Sequence, residues 1–272
     1  NVIPPMKAKA RDILVKALGK LDFHGIIKCV KVNGWDSGMT LIDLEAVIPC
    51  GVDEIKLSKC ENAEDIRRLD RAISELEQRH GLPAGQVEIN VQIESPLGVR
   101  NAYEILSASP RVTCASFGYE DMASSLGVYR DYTPGTQQVT YMTGKLVLDA
   151  NAAGVWQING TAIVAKPGEF QGEDDYVRSD TQRLKNMGFT SRGAINPTHI
   201  KIINEVFTPD PENVAYSRNV VDKWNEGLRS GDPDCFMLDN GLPIDPGRVE
   251  RAKRVLAFAQ AYAELLERKK RR

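Results

Sequence analysis

Short strand-like segments alternate with helix-like segments along most of this chain, and this alternation constrains its fold more than any other sequence feature. The strand-like segments are Gly25–Asn33, Glu54–Ser58, Gln86–Glu94, Arg111–Phe117, Val155–Asn159 and Gly193–Asn196. The helix-like segments are Lys7–Leu18, Thr40–Cys50, Asn62–His80, Gly98–Ser107, Asp121–Leu126, Val139–Ala153 and Asp174–Met187. Such alternation is typical of parallel strands joined by helical crossovers. The sequence therefore predicts an α/β fold built on a parallel sheet.

The chain changes character after Pro197. The segments that follow have helical periodicity and are joined by stretches rich in Asp, Pro and Gly, with no strand predicted among them. They are Thr198–Glu205, Pro211–Ser230 and Pro246–Lys270. We therefore expect two domains, a β/α domain over residues 1–205 and a helical extension over residues 206–272.

Composition and charge argue against several classes of function. The 272 residues carry a formal net charge of −2, so the surface as a whole does not attract nucleic acid or anionic membranes. No apolar run approaches the roughly 20 residues of a membrane-spanning helix, and Asn1–Pro5 does not resemble a signal peptide. The five cysteines show no paired spacing, which argues against a disulfide framework or a zinc site. We expect a cytoplasmic protein with no nucleic-acid or membrane partner.

The strand-like segment Gln86–Glu94 alternates strictly between apolar and polar residues. Val87, Ile89, Val91 and Ile93 share one face, and Glu88, Asn90, Gln92 and Glu94 share the other. A half-exposed antiparallel strand has the same pattern, but the neighbouring segments predict parallel crossovers. In a barrel the polar face would point inward, where its side chains must be hydrogen-bonded or bind something. Glu94 would then lie at the strand's carboxyl end, on the face where barrel enzymes carry their active sites.

A second carboxylate follows the next strand, because Asp121 lies just beyond Arg111–Phe117. Two carboxylates at successive strand ends suggest one hard cation. Mg²⁺ prefers oxygen ligands and keeps positions open for water and substrate. A buried ion pair for Glu94 and a helix cap for Asp121 are alternatives that the residues alone leave open.

Several segments together resemble one known family. The two most specific are Ile93-Glu94-Ser95 followed by Gly98-Val99-Arg100-Asn101-Ala102, and Phe117-Gly118-Tyr119-Glu120-Asp121-Met122 followed by Leu126-Gly127. Weaker matches are Val30-Lys31-Val32-Asn33, Leu57-Ser58-Lys59-Cys60-Glu61, Ala194-Ile195-Asn196-Pro197 and Leu238–Pro246. In this order the segments resemble the citrate lyase β-subunit-like (HpcH/HpaI aldolase) superfamily over nearly the whole chain. The last segment resembles the lid of its malyl-CoA and citramalyl-CoA lyase branch.

The resemblance implies a TIM (β/α)₈ barrel in which Glu94 and Asp121 hold Mg²⁺. It also implies that the family's first two strands are absent from this chain, so we expect the intact protein to be longer. The implied reaction is reversible cleavage of a 3-hydroxyacyl-CoA, such as malyl-CoA, citramalyl-CoA or citryl-CoA, to an α-keto acid and an acyl-CoA. The metal would act as a Lewis acid on the keto-acid carbonyl.

The resemblance further implies that cationic side chains bind the substrate. Lys31 stands where the family has an arginine that holds the substrate carboxylate, and we assign Lys31 both a substrate-binding and a catalytic role. Lysine offers a point charge where arginine offers a two-pronged bond, so the exchange alters recognition. A solvated or core-lining lysine is the alternative. Lys59 is a second candidate cation.

Other predicted substrate-binding residues belong to the family-like segments. Gly118 would let a substrate approach the backbone closely, and Tyr119, Glu120 and Asn196 complete the set. Tyr119 could instead be a packing or rim residue. Asn196 replaces the family's histidine, and Asn159 stands where the family often has aspartate, so the substrate preference of this chain is open.

Asp245 is the predicted acid/base. It lies in a loop that matches the lid, and the corresponding aspartate in the lyase branch reaches the active site of a neighbouring subunit. The resemblance therefore implies an oligomer, which we expect to be a homotrimer with exchanged lids. An ordinary Asp-Pro turn is the alternative for Asp245.

Different functions remain open on the sequence alone. The same site could hydrolyse an acyl-CoA thioester if water took the place of the carbon acid. The chain could also be a degenerate paralogue without turnover, since Lys31, Asn159 and Asn196 depart from the family pattern. A metal-dependent aldolase acting on free keto acids without CoA is a further alternative.

Overall fold

The computed structural model describes residues 2–129, 137–155, 157–160, 173–194 and 196–270, with the backbone alone at 137–139, 157–160, 265 and 268–270. Within these residues one sheet contains β1 (Cys29–Val32), β2 (Glu54–Leu57), β3 (Glu88–Ile93), β4 (Val112–Phe117), β5 (Gln157–Gly160) and β6 (Ser191–Arg192). The strands lie in sequence order, and every neighbouring pair is parallel. The predicted α/β fold is therefore confirmed.

The sheet is an open arc in the part of the chain that the structure describes. β1 pairs with β2 and β6 pairs with β5, and neither end strand has a second neighbour among those residues. The described residues thus form six strands of a barrel-like arrangement that they do not close.

The helices that connect the strands are α1 (Lys7–Lys20), α2 (Thr40–Val47), α3 (Ala63–Arg79), α4 (Pro96–Arg100), α5 (Ala102–Leu106), α6 (Tyr119–Ser125), α7 (Gln137–Ala152) and α8 (Glu173–Met187). After β6 come α9 (His199–Phe207), α10 (Pro211–Ser230) and α11 (Pro246–Lys270). Short 3₁₀ turns lie at Pro4–Met6, Trp35–Ser37, Ile48–Cys50 and Pro233–Phe236. Every helix in the described part of the chain is too short or insufficiently apolar to cross a membrane.

Three predicted elements differ most from the structure. The strand predicted over Gly25–Asn33 begins only at Cys29, because Gly25 lies in a turn with a φ of 68°. The single helix predicted over Gly98–Ser107 is broken at Asn101, whose φ of −97° and ψ of 11° end α4 and begin α5. The last strand was predicted at Gly193–Asn196, and this placement was wrong. Pairing with Asn159 and Gly160 places β6 two residues earlier, at Ser191–Arg192.

The apolar face of β3 lies in the core, as its alternation predicts. Val87, Ile89, Val91 and Ile93 are all fully buried and share one hydrophobic cluster with side chains of α3 and α5. Glu88 on the opposite face is exposed. The polar side chains of β3 therefore lie on the face opposite this cluster.

The described chain divides into two compact units, residues 1–206 and 207–272. In the second unit, α10 and α11 pack around a small apolar core that includes Val220, Leu238, Ile244 and Val249. An isolated antiparallel bridge joins Met237 to Pro243 between these helices. This bridge closes the loop that leads directly into α11.

Candidate active site

Glu94 and Gly118 lie side by side at the carboxyl ends of β3 and β4. The last pair of the ladder joins Ile93 to Phe117, and Gly118 N donates a 2.9 Å hydrogen bond to Ile93 O. A Cβ atom on Gly118 would lie 2.6 Å from both Cβ and Oε2 of Glu94. Glycine at this position therefore leaves the space that the Glu94 side chain occupies.

Both oxygens of the Glu94 carboxylate accept hydrogen bonds. Lys59 N donates to Oε1 at 2.8 Å, and Gln92 Nε2 donates to Oε2 at 2.5 Å. The Glu94 residue is only 1% exposed. Lys59 has a φ of 53°, in the left-handed region that non-glycine residues seldom adopt. The backbone after β2 is thus turned so that its N–H meets Glu94.

Two lysine side chains face the two predicted metal ligands. Lys31 Nζ lies 4.0 Å from Glu94 Oε2, and Lys59 Nζ lies 3.6 Å from Asp121 Oδ1. The Asp121 side chain is 40% exposed, in contrast to that of Glu94. The structure therefore brings Lys31, Lys59, Glu94 and Asp121 together, although their roles remain predictions.

Burial dominates the ionisation of Glu94. Removal from water raises the pKa of this carboxyl, the Lys31 ammonium opposes that effect, and Asp121 raises the pKa further. The net result is a pKa above the usual value for glutamate. A bound cation would favour the ionised form and reverse this shift.

A cavity of about 770 Å³ borders these side chains. Lys31, Lys59, Glu94 and Asp121 line it together with Trp35, which follows β1. The indole Nε1 of Trp35 donates to Asp65 O at 3.0 Å, and Arg68 stacks on the ring with its Cζ 3.8 Å from the centroid. The carboxylates and ammonium groups thus share a space large enough for a small ligand.

A polar network anchors the end of β1, two residues beyond Lys31. Asn33 donates from its backbone N and its Nδ2 to Asp43 Oδ2, at 3.1 and 2.5 Å. Arg11 binds the other oxygen of Asp43 at 2.8 Å, and Lys7 donates to Asn33 Oδ1. These contacts tie α1 and α2 to the strand end that carries Lys31.

The donor set fits a hard divalent cation. Two carboxylates, one buried and held in place and one partly exposed, would leave several coordination positions for water and substrate oxygens, as Mg²⁺ requires. Among the described residues, no group of three or more His, Cys, Asp and Glu side chains is arranged to hold a metal ion. A metal here would therefore be held by these two carboxylates together with other oxygen ligands, from water, substrate or the rest of the protein.

The other residues of the predicted site have different surroundings. Tyr119 is buried in the hydrophobic cluster, with its ring centroid 6.4 Å from that of Phe117. Glu120 is exposed at the start of α6. Asn196 is buried, and no acceptor among the described residues lies within hydrogen-bond distance of its Nδ2. The burial of Tyr119 supports its alternative as a packing residue, and the substrate-binding roles remain predictions.

Asp245 belongs to the second unit. Its Oδ1 accepts a 2.7 Å hydrogen bond from Arg248 N at the start of α11, so the residue caps this helix. The capping contact uses only Oδ1, so Oδ2 could still exchange a proton with a substrate. The acid/base role of Asp245 remains a prediction. The side chain of Asn159 lies outside the described residues, although its backbone pairs with Ser116 and Ser191.

Sequence alone assigned no role to the residues that support the site. Gln92 lies two residues before Glu94 on the same face of β3, and this spacing is the signal that could have identified it. The backbone contribution of Lys59 and the pairing of Arg11 with Asp43 have no comparable sequence signal, because they depend on a left-handed residue and on packing between helices.

Comparison with known sequences gives one family and several curated relatives. The sequence model for HpcH/HpaI aldolase/citrate lyase matches residues 2–197. Citrate lyase subunit beta from Leuconostoc mesenteroides subsp. cremoris is 30% identical over 255 residues, which cover 94% of this chain and 81% of that protein. L-malyl-CoA/beta-methylmalyl-CoA lyase from Cereibacter sphaeroides is 28% identical over an alignment of 278 positions, which covers 96% of this chain and 85% of that protein.

Solved structures share the fold. A citrate lyase from Burkholderia xenovorans LB400 superposes with a TM-score of 0.79 at 17% identity, covering 97% of this chain and 81% of that one. Protein CitE from Mycobacterium tuberculosis, solved in complex with magnesium, acetoacetate and coenzyme A, gives a TM-score of 0.68 at 20% identity, with coverages of 95% and 86%. Because both identities are below 25%, these superpositions establish that the chain shares the fold of these proteins.

Proposed function

Because the chain belongs to the HpcH/HpaI aldolase/citrate lyase family, we propose that it is an Mg²⁺-dependent lyase that cleaves a 3-hydroxyacyl-CoA to an α-keto acid and an acyl-CoA. The curated relatives are carbon–carbon lyases, so the predicted enzyme class is confirmed. The metal, the substrate and the roles of individual residues belong to the proposal.

One observation carries the proposal. Glu94 and Asp121 lie at successive strand ends beside a common cavity, and each has a lysine ammonium within 4.0 Å. The carboxylates would hold Mg²⁺, and the lysines would attract an anionic substrate. When bound, the metal would withdraw charge from a keto-acid carbonyl as a Lewis acid.

The names of relatives support a CoA thioester as the substrate. One relative is a malyl-CoA lyase, and the M. tuberculosis neighbour was solved with coenzyme A, acetoacetate and magnesium. The cavity of about 770 Å³ has room for a small keto acid beside the two carboxylates. We therefore favour malyl-CoA, citramalyl-CoA or citryl-CoA as substrates.

The chain's own residues would bind and orient the reactants. Lys31 would neutralise the carboxylate of the keto acid, and Lys59 would add a second positive charge at the mouth of the site. Asn196, with its buried amide nitrogen, could donate to a substrate oxygen. Gly118 would keep the space beside Glu94 open.

Asp245 would carry the proton. In the condensation direction its carboxylate would take a proton from the α-carbon of the acyl-CoA, and the resulting carbanion would attack the keto-acid carbonyl to form the carbon–carbon bond. The alkoxide so formed would take a proton from water. In cleavage, water would accept the proton of the 3-hydroxyl group as the same bond breaks, and Asp245 would return its proton to the α-carbon. We propose that Asp245 acts on a neighbouring subunit of a homotrimer.

The decisive experiment is cleavage of malyl-, citramalyl- and citryl-CoA by the purified protein, with Mg²⁺ and with EDTA. We expect a keto acid and an acyl-CoA to form only with Mg²⁺. Asp121→Asn should abolish this activity and leave the circular dichroism spectrum unchanged. Asp12→Asn, at an exposed position on α1, is the matched control and should retain full activity. Unchanged turnover by Asp121→Asn would refute the metal assignment.

The same assay distinguishes the alternatives. Release of free CoA and a hydroxy acid, without a keto acid, would identify a thioesterase. Activity on a free hydroxy acid without CoA would identify an aldolase of keto acids. Mg²⁺ binding by calorimetry without any turnover would identify a non-catalytic paralogue, for which the exchange of arginine for Lys31 would be the first explanation to test.

A further inference from the structure

The geometry points to Gln92 as a positioning residue that holds Glu94 as a single-oxygen metal ligand and so favours Mg²⁺ over Ca²⁺. This inference rests on the metal site of the proposed function and goes beyond it, because Gln92 supplies no metal ligand. Its amide Nε2 lies 2.5 Å from Glu94 Oε2, the oxygen that also faces Lys31.

The Glu94 carboxylate is fixed at both ends. Lys59 N holds Oε1 at 2.8 Å while Gln92 holds Oε2, so rotation of the carboxylate would break both hydrogen bonds. The space beside Gly118 is too small for the group to shift sideways, since a methyl group there would lie 2.6 Å from Oε2 and 2.8 Å from Gln92 Nε2. Each oxygen keeps a second lone pair, but the two hydrogen bonds fix the orientation of the carboxylate, with Oε2 on the side of Lys31. We infer that Oε2 is the oxygen that would bind the metal.

A fixed single-oxygen ligand discriminates between the two cations. Ca²⁺ takes about six to eight oxygen ligands and often binds a carboxylate through both oxygens, whereas Mg²⁺ requires a compact octahedron and accepts single oxygens. Without the Gln92 hydrogen bond, the carboxylate could turn about the remaining contact between Oε1 and Lys59 N. The second lone pair of Oε1 could then join Oε2 in two-oxygen binding. Mg²⁺ would lose a preoriented ligand, and Ca²⁺ would gain access to a second oxygen.

The test measures binding of MgCl₂ and CaCl₂ by calorimetry, without substrate. Gln92→Met keeps the length of the side chain and removes the donor, and Gln92→Asn keeps an amide that is one methylene too short to reach Oε2. Gln86→Met, the same substitution at an exposed position just before the other end of β3, is the matched control. Circular dichroism and thermal unfolding establish that the variants are folded.

We expect Mg²⁺ affinity to fall roughly 10-fold or more in both Gln92 variants, the usual scale for loss of a residue that orients a metal ligand. Ca²⁺ affinity should change much less, so the ratio of the two affinities should fall by about the same factor, while Gln86→Met should match the wild type. Unchanged affinities, or equal losses for both ions, would overturn the inference and leave the metal site standing. Absence of Mg²⁺ binding by the wild type would overturn the metal site and the inference with it.

Discussion

The backbone N–H of Lys59 donates a 2.8 Å hydrogen bond to Oε1 of Glu94, and Lys59 adopts a φ of 53° where it does so. The same residue extends its ammonium to within 3.6 Å of Asp121 Oδ1. One lysine therefore contacts both predicted metal ligands, through its backbone in one case and its side chain in the other. These two contacts can be separated by mutation.

Lys59→Gly and Lys59→Ala both remove the ammonium, but only glycine adopts the left-handed conformation without steric cost. We expect Lys59→Gly to be more stable than Lys59→Ala by roughly 1 kcal/mol, measured by urea unfolding. Both variants should raise KM for the anionic substrate by a similar factor, because they lose the same charge. Equal stabilities would show that the backbone of Lys59 is not strained.

Gly118→Ala tests the close approach of the two strand ends. The new methyl group would lie 2.6 Å from Glu94 Cβ and Oε2, so Glu94 must move or the strands must separate. We expect a loss of about 1–3 kcal/mol in the free energy of unfolding, together with weaker Mg²⁺ binding by calorimetry.

Gly144→Ala, in α7, is the control for Gly118→Ala. Apart from its own helix and chain neighbours, an added Cβ at Gly144 meets no atom of the described residues within 4 Å. This substitution should stabilise the helix by up to about 1 kcal/mol and leave Mg²⁺ affinity unchanged. If Gly118→Ala bound Mg²⁺ as tightly as the wild type, the metal site would tolerate a displacement of Glu94.

The raised pKa of Glu94 predicts a pH dependence of stability in the metal-free protein. Burial raises this pKa in the folded state above the ordinary value of 4.5. Between the ordinary pKa and the raised pKa of the folded state, the folded chain therefore binds more protons than the unfolded chain. The stabilising contribution is complete below the unfolded pKa and is lost as pH rises through the folded pKa. Urea unfolding in EDTA should therefore show a smaller loss of stability with rising pH in Glu94→Gln than in the wild type.

Bound Mg²⁺ should reverse the loss of stability with rising pH, since it binds the ionised carboxylate. We expect Mg²⁺ affinity to rise with pH through the same window, with proton release detectable as a buffer-dependent heat in calorimetry. If stability in EDTA changed with pH to the same extent in the wild type and in Glu94→Gln, a group other than Glu94 would be responsible for the pH dependence.

The sequence predicted the elements that local patterns determine. The strict alternation of β3 identified its buried face and the end at which Glu94 lies. Helices with clear start and stop signals were also predicted closely, as with α3, where the Asn62 side chain accepts a hydrogen bond from Asp65 N. In both cases the signal lies within a few consecutive residues.

Features that depend on distant residues could not be predicted from the sequence. The position of β6 depends on pairing with Asn159 and Gly160, and the segment itself has a weak strand pattern. The orientation of Glu94 depends on Lys59 N, which lies 35 positions away in sequence. The types of residue in the candidate site were thus predictable, whereas the contacts that fix their geometry were not.

Arg111→Met should destabilise the fold. Arg111 binds Asp70 and Glu77 at 2.7 Å each, close to the start of β4, and Glu77 is 1% exposed. Burial tends to raise the pKa of Glu77, but hydrogen bonds from Arg111 and from the N–H groups of Val87 and Gly85 outweigh it, and the net pKa is lowered. Removing Arg111 leaves a buried carboxylate without a cation, at a cost of about 3–5 kcal/mol in the free energy of unfolding.

Arg71→Met is the comparison for Arg111→Met. Arg71 pairs with Glu64 on the surface, where both side chains are 60% exposed, so its loss should destabilise the fold much less than the loss of Arg111. Chemical unfolding measures both variants. A similar small cost for Arg111→Met would mean that solvent reaches Glu77 and stabilises its charge.

Asp245→Asn separates the capping role of Asp245 from its proposed role as acid/base. An asparagine Oδ1 can still accept the hydrogen bond from Arg248 N, so α11 should keep its stability, whereas Asp245→Ala should lose the cap as well. Both variants should lower kcat by roughly 100- to 10,000-fold and leave Mg²⁺ affinity unchanged. A fall in Mg²⁺ affinity would instead make Asp245 a metal ligand.

Mixing inactive Asp121→Asn and Asp245→Asn proteins tests whether the lid acts on a neighbouring subunit. Some sites in a mixed oligomer would then combine an intact metal centre from one chain with an intact aspartate from another, and part of the activity should return. If each lid served its own chain, every site would lack one of the two groups and the mixture would remain inactive. The proposal therefore requires activity that appears only after subunits exchange, and unmixed preparations of the two variants provide the baseline.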